Sequence, residues 1–189
     1  MVALTLEPGS FLDSEDAALR RLAVTSISDL SIPDLCNAII PLVDDPSVPV
    51  RASVAERLGG CGEAGIRALL RLRDDVEPTV REAVATAYGE IRDTSQVGWL
   101  VERVRSDDDR QVKEAAVAAL GAIGDPRAID PLLEFVKSGP PQVRRRAIAA
   151  ITVFDDERIE ASLRTAAMDR NPGVREAAEM VVGRQITEA

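Results

Sequence analysis

The chain has 189 residues, with 32 Asp and Glu against 23 Lys and Arg, which gives a net charge of −9. This balance disfavours nucleic-acid binding, because a nucleic-acid interface needs Lys and Arg in excess on one face. Histidine is absent, which excludes Ser-His-Asp and Cys-His catalysis and imidazole-based metal sites.

Hydropathy and cysteine usage favour a cytoplasmic protein. No apolar run approaches the ~20 residues of a membrane span, and the first twelve residues lack the basic start and apolar core of a secretory signal. Cys36 and Cys61 do not form a CxxC pair. We predict that both are reduced thiols that pack as small apolar side chains.

A signature of acidic or turn residues followed by a basic residue recurs along the chain after an irregular lead-in at 1–13. The basic residues are Arg20, Arg51, Arg81, Lys113, Arg144 and Arg175, at separations of 31, 30, 32, 31 and 31. A constant period over six copies indicates a repeat architecture.

We call the helix that follows each basic residue a first-type helix. Its apolar positions are spaced by four, as in Val112/Ala116/Leu120, which places them on one helical stripe. Pro78, Pro141 and Pro172 lie two residues before the leading Val and fit a first helical turn. The glycines nine residues after that Val are predicted to loosen or close the helix ends: Gly59, Gly89, Gly121 and Gly183.

Second-type helices are predicted to alternate with the first type. Their approximate ranges are 31–43, 62–73, 95–105, 126–137 and 156–168. A helix pair of this length cannot bury its own apolar face, and stacked copies can. The fold class predicted is therefore all-α, an α-solenoid (α-α superhelix) of five to six helix pairs and roughly eleven helices. It is treated as one domain over 1–189, with repeats at 14–30, 31–61, 62–93, 94–125, 126–155 and 156–186.

The least degenerate copy spans Ser106–Lys137 and carries the family resemblance. Val112-Lys113, Ala116, Ala119-Leu120-Gly121, Ile123-Gly124-Asp125, Arg127-Ala128-Ile129 and Pro131-Leu132-Leu133 resemble the HEAT repeat, in particular its short bacterial PBS-lyase HEAT-like (bilin-lyase-like) variety. The resemblance covers roughly residues 14–186. It implies that the first-type helices line a concave, partner-binding surface.

A ladder of ion pairs is the first candidate constellation. The acids Asp44, Asp74, Asp107 and Asp169 precede Arg51, Arg81, Lys113 and Arg175 by six or seven residues. A turn carboxylate can cap the next helix and meet a guanidinium one repeat along, which predicts a structural role. The fifth copy has Ser138-Gly139 in place of the acid, so Arg144 is predicted to lack a partner.

The second candidate is the triple arginine Arg144-Arg145-Arg146, the most basic segment of the chain. It could receive an acidic peptide or a phosphate, or it could be solvated helix surface. The acidic turns, such as Asp107-Asp108-Asp109, lack the loop spacing of a calcium site, so capping is favoured.

The third candidate is the exposed face of the first-type helices. It is predicted to present Glu56, Glu82, Glu90, Glu114, Arg145 and Glu176. An acidic middle with basic ends would suit a basic or mixed-charge segment of a protein partner. Trp99, the only tryptophan, is either core packing or an exposed anchor.

These features predict a non-catalytic interaction scaffold. We expect a cytoplasmic monomer that binds a protein partner, with no cofactor, metal or membrane. Two alternatives stay open from the resemblance: a bilin (tetrapyrrole) lyase-like role, and nucleic-acid binding as in HEAT-like DNA glycosylases. HEAT-like iron hydroxylases are excluded, because they use His-Glu pairs.

Overall fold

A computed structural model describes residues 7–187 of the chain, with side chains as far as residue 183. The described residues contain helices and turns and no strand, which confirms the all-α solenoid class. The α-helices are α1 Ala17–Ser26, α2 Ile32–Ile39, α3 Val48–Arg57, α4 Gly62–Leu72, α5 Pro78–Ile91, α6 Val97–Ser106, α7 Arg110–Ile123, α8 Ile129–Lys137, α9 Pro141–Ile151, α10 Arg158–Ala166 and α11 Pro172–Thr187. Short 3-10 segments precede or follow several of them.

The chain divides into two compact units, and each is described by itself. Unit 1 ends at Ala87 and unit 2 begins at Tyr88, both within α5. The single-domain organisation stays a prediction. Of the lead-in at 1–13, residues 1–6 lie outside the described part, and Pro8–Phe11 form a 3-10 turn.

Helix starts follow the local sequence signals. Pro78, Pro141 and Pro172 are the first residues of α5, α9 and α11, where the missing proline N–H leaves no helical bond unmade. Asp109 caps α7, since its carboxylate accepts from the N–H groups of Gln111 and Val112. The predicted prolines of the first turn are thus confirmed.

In unit 1, α1 packs against α3, and the 3-10 turn after α3 packs against both α2 and α4. Cys36 of α2 and Cys61 of this turn form a disulfide bond, with their Cα atoms 5.6 Å apart. The prediction of two reduced thiols is therefore wrong. The sequence separation of 25 hid the pairing, which arises because consecutive repeats place α2 beside the end of α3.

In unit 2 the helices form two adjacent rows. The first-type helices pack in the order α7, α9, α11, and the second-type helices α6, α8 and α10 cover them on one side. The predicted apolar stripe is buried: Val112, Ala116 and Leu120 of α7 are fully buried, and Val143, Ala147 and Ile151 of α9 nearly so. The opposite face of the first-type row remains open to solvent.

Glycine allows the first-type helices to approach closely. Gly121 lies inside α7, and a Cβ built on it would lie 2.9 Å from both the Cα and the Cβ of Ala150 in α9. Gly89 meets Ala119 in the same way. These two glycines lie inside their helices and are contact points between helices, so neither of them closes a helix. Gly124, with φ of 70°, is the left-handed residue that ends α7.

Candidate functional site

An arginine–aspartate ladder runs along the turns of unit 1. The Arg20 guanidinium donates two hydrogen bonds to Asp45, at 2.7 and 2.9 Å, and a third to the carbonyl of Ser14. Arg51 repeats the geometry on Asp75, at 2.8 and 3.0 Å. Each arginine thus joins its own turn to the carboxylate of the next repeat.

The ladder uses different carboxylates from those predicted in two copies. Asp45 and Asp75 carry it, whereas the predicted Asp44 lies on the surface and pairs with Arg71. Asp74 is also exposed, beside Arg73. The position in the turn decides which acid is used. The ladder carboxylate must also accept a hydrogen bond from the N–H group two residues later, where the next helix starts. Asp45 accepts from Ser47 in this way.

Unit 2 has the same kind of contact at Arg144. This side chain is only 3% exposed and donates to Asp169 at 2.8 and 2.7 Å, and also to the carbonyl of Gly139. The prediction that Arg144 lacks a partner is therefore wrong, and the guanidinium considered as an anion contact is engaged by Asp169. Arg175 donates to the carbonyl of Asp169, as Arg81 does to Asp75.

The missing acid at Ser138-Gly139 leaves Lys113, and not Arg144, without a ladder partner. The ladder pairs each cation with an acid 24 or 25 residues later, and Ser138-Gly139 stands at that place for Lys113. No ion pair of Lys113 is found among the described side chains. Asp107 is buried, and its carboxylate accepts from the Asp109 N–H and lies 3.6 Å from Arg103.

The ladder environment lowers the pKa of its carboxyl groups. Burial alone would raise the pKa of Asp45, but hydrogen bonds from Arg20 and from the Ser47 N–H outweigh burial and lower it. The same balance lowers the pKa of Asp75. For Asp169 the leading cause of the lowered pKa is the hydrogen bond from Arg144.

A second set of arginine contacts joins neighbouring repeats at the other helix ends. Arg127 binds Asp125 and donates to the carbonyl of Thr94 at 2.7 Å, and Arg158 binds both Asp156 and Asp130 at 2.8 Å. These bonds lower the pKa of Asp125 and of Asp156 to about 2. This set was not predicted, although the Asp-x-Arg spacing at 125–127 and 156–158 signals it.

The predicted face residues fall into both units. In unit 1, Glu56 is exposed and Glu82 is half-buried. In unit 2, Glu90 and Glu176 are exposed, whereas Glu114 is largely covered. Their assignment to a partner-binding surface stays a prediction.

The open face of unit 2 contains a groove of about 300 Å³ between α7, α9 and α11. It is lined by Glu114, Gln142, Arg145, Arg146, Ile148, Ala149, Ala177, Met180 and Val181. The structure thus brings Glu114, Arg145 and Arg146 together at one depression. Glu176 does not line it.

Charge in the groove is not balanced. The Glu114 carboxylate lies between two guanidinium groups, 3.5 Å from Arg110 and 4.0 Å from Arg146. Arg145 is exposed and makes no ion pair or side-chain hydrogen bond with the described residues. The groove therefore offers one uncommitted guanidinium and a second that is only weakly engaged.

Met180 is a large apolar side chain of the groove that was not predicted from the sequence. It is 56% exposed. It lies six residues after Val174, a position where the preceding copies in unit 2 carry Ala118 and Ala149. A large apolar side chain at a position otherwise held by alanine was the available signal. Trp99 is half-buried and packs edge-on against Tyr88, with ring centroids 5.7 Å apart.

The described residues contain no group of three or more Cys, Asp or Glu side chains placed to hold a metal ion. In the same part of the chain, no single helix has the length and apolar character to cross a membrane. The bent pair Ala17–Ser26 with Asp29–Asp44 meets that measure on length and composition alone.

Comparison with known proteins identifies the repeat. The chain matches the family of HEAT repeats over residues 9–87 and 66–150, which is more than half of its length. No curated protein sequence matches it.

Solved structures share its fold at low identity. The CpcE–CpcF complex of phycocyanin lyase from Nostoc sp. PCC7120 aligns with a TM-score of 0.69 and 21% identity, over 92% of this chain and 74% of that chain. A designed armadillo repeat protein in complex with the peptide (KR)4 aligns with a TM-score of 0.64 and 19% identity, over 94% of this chain and 97% of that chain. The Escherichia coli protein YibA aligns with a TM-score of 0.66 and 20% identity, over 91% of this chain and 67% of that chain. Stacked helical repeats with one period, an arginine–aspartate ladder and a matching repeat profile lead to one conclusion: this chain belongs to the HEAT-repeat family.

Proposed function

We propose that the protein is a non-catalytic scaffold that binds a protein partner on the solvent-facing side of its first-type helices. The observation that carries this proposal is the unit 2 groove, which combines apolar side chains with an arginine, Arg145, that makes no ion pair with the described residues. Repeat proteins use such faces for binding, because stacking creates a broad surface without closing it. A HEAT or armadillo fold in general supports a protein partner.

The partner is proposed to carry mixed charge. Glu56 and Glu82 in unit 1 suit a basic segment, as predicted from the sequence, and the similar designed armadillo protein is in complex with a peptide of alternating Lys and Arg. The protein is proposed to act as a monomer. The cytoplasmic location stays a prediction, and the Cys36–Cys61 disulfide weighs against it, because disulfides are rare in reducing compartments.

The alternatives gain no specific support. A lyase-like role is suggested by the phycocyanin lyase subunits, but an identity of 21% shows the fold alone. Both cysteines of this chain are joined in a disulfide, and histidine is absent from the sequence. Nucleic-acid binding conflicts with the net charge of −9.

Site-specific photo-crosslinking in the native cell tests the proposal. A benzophenone amino acid replaces Ala149, which is exposed in the groove, or Glu102, which is exposed on the second-type helix α6 as a matched control. We expect one defined protein adduct from the Ala149 position and none from Glu102. Equal adducts from both positions, or adducts from Glu102 alone, would contradict binding on the first-type face.

A further inference from the structure

We infer that the unit 2 groove binds an acidic protein segment in which carboxylates are flanked by large apolar side chains. This inference rests on the proposed function and specifies the chemistry of the partner at that site. It differs from the basic segment predicted from the sequence, which relied on glutamates of the same face. The groove combines an unpaired guanidinium with adjoining apolar surface.

The charges of the groove favour a carboxylate. Arg145 has no ion pair with the described residues, and Arg146 approaches Glu114 only at 4.0 Å. Glu114 is already shared with Arg110, so it offers little to an incoming cation. A guanidinium presents a planar set of donors that matches a carboxylate through two parallel hydrogen bonds. Two such groups on consecutive residues of α9 can therefore hold one or two neighbouring carboxylates.

The apolar surface lies on both sides of the arginines. On one side, the Met180 side chain is 56% exposed beside Ala149 and Ala177. On the other, a second depression of about 250 Å³ adjoins Arg146 and is lined by Ala118, Ala122 and Val153. Small side chains leave room for large ones from a partner, and methionine adapts its shape to what it meets. The order apolar, basic, apolar predicts a ligand with the order apolar, acidic, apolar.

A protein segment fits this arrangement better than nucleic acid does. Glu176 and Glu179 are exposed on α11, and the chain as a whole carries −9. A polyphosphate backbone needs several cations along its path, and it would meet these glutamates next to two arginines. A short peptide can place its carboxylates on the arginines alone and bury leucine side chains on either side of them.

Fluorescence anisotropy with labelled octapeptides tests the inference. The probe peptide has a Leu-Asp-Glu-Leu centre between Gly-Ser pairs. A second peptide replaces the two acids by Lys-Arg, a third replaces the leucines by serine, and a twelve-nucleotide oligothymidine serves as the nucleic-acid probe. We expect the Leu-Asp-Glu-Leu peptide to bind at least about tenfold more tightly than each of the other three, since one charge-assisted contact is worth about that factor.

Matched variants locate the binding. Arg145→Glu with Arg146→Glu should weaken the acidic peptide at least about tenfold, whereas Lys137→Glu with Arg170→Glu should leave its affinity within about twofold. The control changes the net charge equally at exposed positions outside the groove. Met180→Ser should weaken the same peptide by about fivefold, from the loss of one partly exposed apolar contact.

Three results would overturn the inference: no binding of the Leu-Asp-Glu-Leu peptide, equal loss in both charge-reversal pairs, or tighter binding of the oligothymidine. A specific crosslink from the Ala149 position together with failure of the acidic peptide would reject the acidic ligand and leave the scaffold proposal standing. Absence of both the crosslink and peptide binding would reject both proposals.

Discussion

Arg144 and Arg145 are neighbours on α9, but they lie on different faces of the helix and have different roles. Arg144 points into the turn region, is 3% exposed and is held by Asp169 and by the Gly139 carbonyl. Arg145, one residue on, faces solvent in the groove. A step of about 100° around the helix separates a structural guanidinium from one available to a ligand.

The first prediction compares these two side chains. Arg144→Met should lower the free energy of unfolding by about 2–3 kcal/mol, because it leaves the mostly covered Asp169 carboxylate without its cation. Arg145→Met should change it by less than about 0.5 kcal/mol, as expected of an exposed position. Urea unfolding followed by circular dichroism measures both. Equal destabilisation by the two variants would contradict the assigned roles.

Sequence could place this ladder only approximately. The repeat predicts that an acid and a guanidinium meet one repeat apart, and the structure has this arrangement. The choice between Asp44 and Asp45 depends on which carboxylate also reaches the Ser47 N–H, a detail of turn geometry that spacing alone does not reveal. The role of Arg144 was missed because its acid, Asp169, lies in the following turn.

At the scale of helices, close contact between α7 and α9 depends on Gly121. The second prediction is that Gly121→Ala lowers the free energy of unfolding by about 1–3 kcal/mol, because the added methyl would overlap the backbone and Cβ of Ala150 at 2.9 Å. Gly98→Ala in α6 is the control. Nothing lies within 4 Å of its Cβ, so helix propensity should make it neutral or stabilising by up to about 1 kcal/mol.

Chemical denaturation of the two alanine variants measures this difference. If Gly121→Ala proved as stable as Gly98→Ala, the helices would have room to separate and the close contact would not be structural. The sequence alone could not show whether Gly89 and Gly121 close a helix or allow a close contact. Near a helix end, glycine in a sequence equally suits a cap and a packing contact, and only the position of the neighbouring helix distinguishes them.

Helix existence, in contrast, was largely readable from the sequence. The period of about 31 residues, the prolines at helix starts and the spacing of apolar positions each reflect a local requirement that recurs in every copy. The candidate groove was readable only in part. Its arginines and Glu114 stood out by charge. Met180 differs from the alanines of the preceding copies, but only the packing of α9 beside α11 assigns it to the groove.

At the scale of the whole molecule, the Cys36–Cys61 disulfide is a covalent cross-link that stabilises unit 1. The third prediction is that Cys36→Ser with Cys61→Ser lowers the free energy of unfolding of unit 1 by about 3 kcal/mol, because the closed loop joins residues 25 apart and restricts the unfolded chain. Urea unfolding with and without dithiothreitol measures it. The reductant should destabilise the original chain and leave the double variant unchanged, and a thiol assay on the native chain should detect no free thiol.

The last prediction concerns acid, which titrates ladder carboxyl groups in each of the two units. The ladder carboxyls Asp45 and Asp75 in unit 1 and Asp169 in unit 2 all have a lowered pKa. The folded state therefore binds fewer protons than the unfolded state, in which an Asp titrates near 3.9. The stability that the ladder gives is complete above about pH 5 and is lost as the pH falls through the lowered values.

Between about pH 5 and 8 the urea midpoint should stay level, because the chain has no histidine and its two cysteines are bonded to each other. Below about pH 4 it should fall steeply, and in Arg144→Met it should fall less steeply, since Asp169 then titrates closer to its ordinary value. Arg145→Met should keep the original slope. A midpoint that rose on acidification, or that changed between pH 6 and 8, would mean that groups other than the ladder carboxyls govern the stability of this protein.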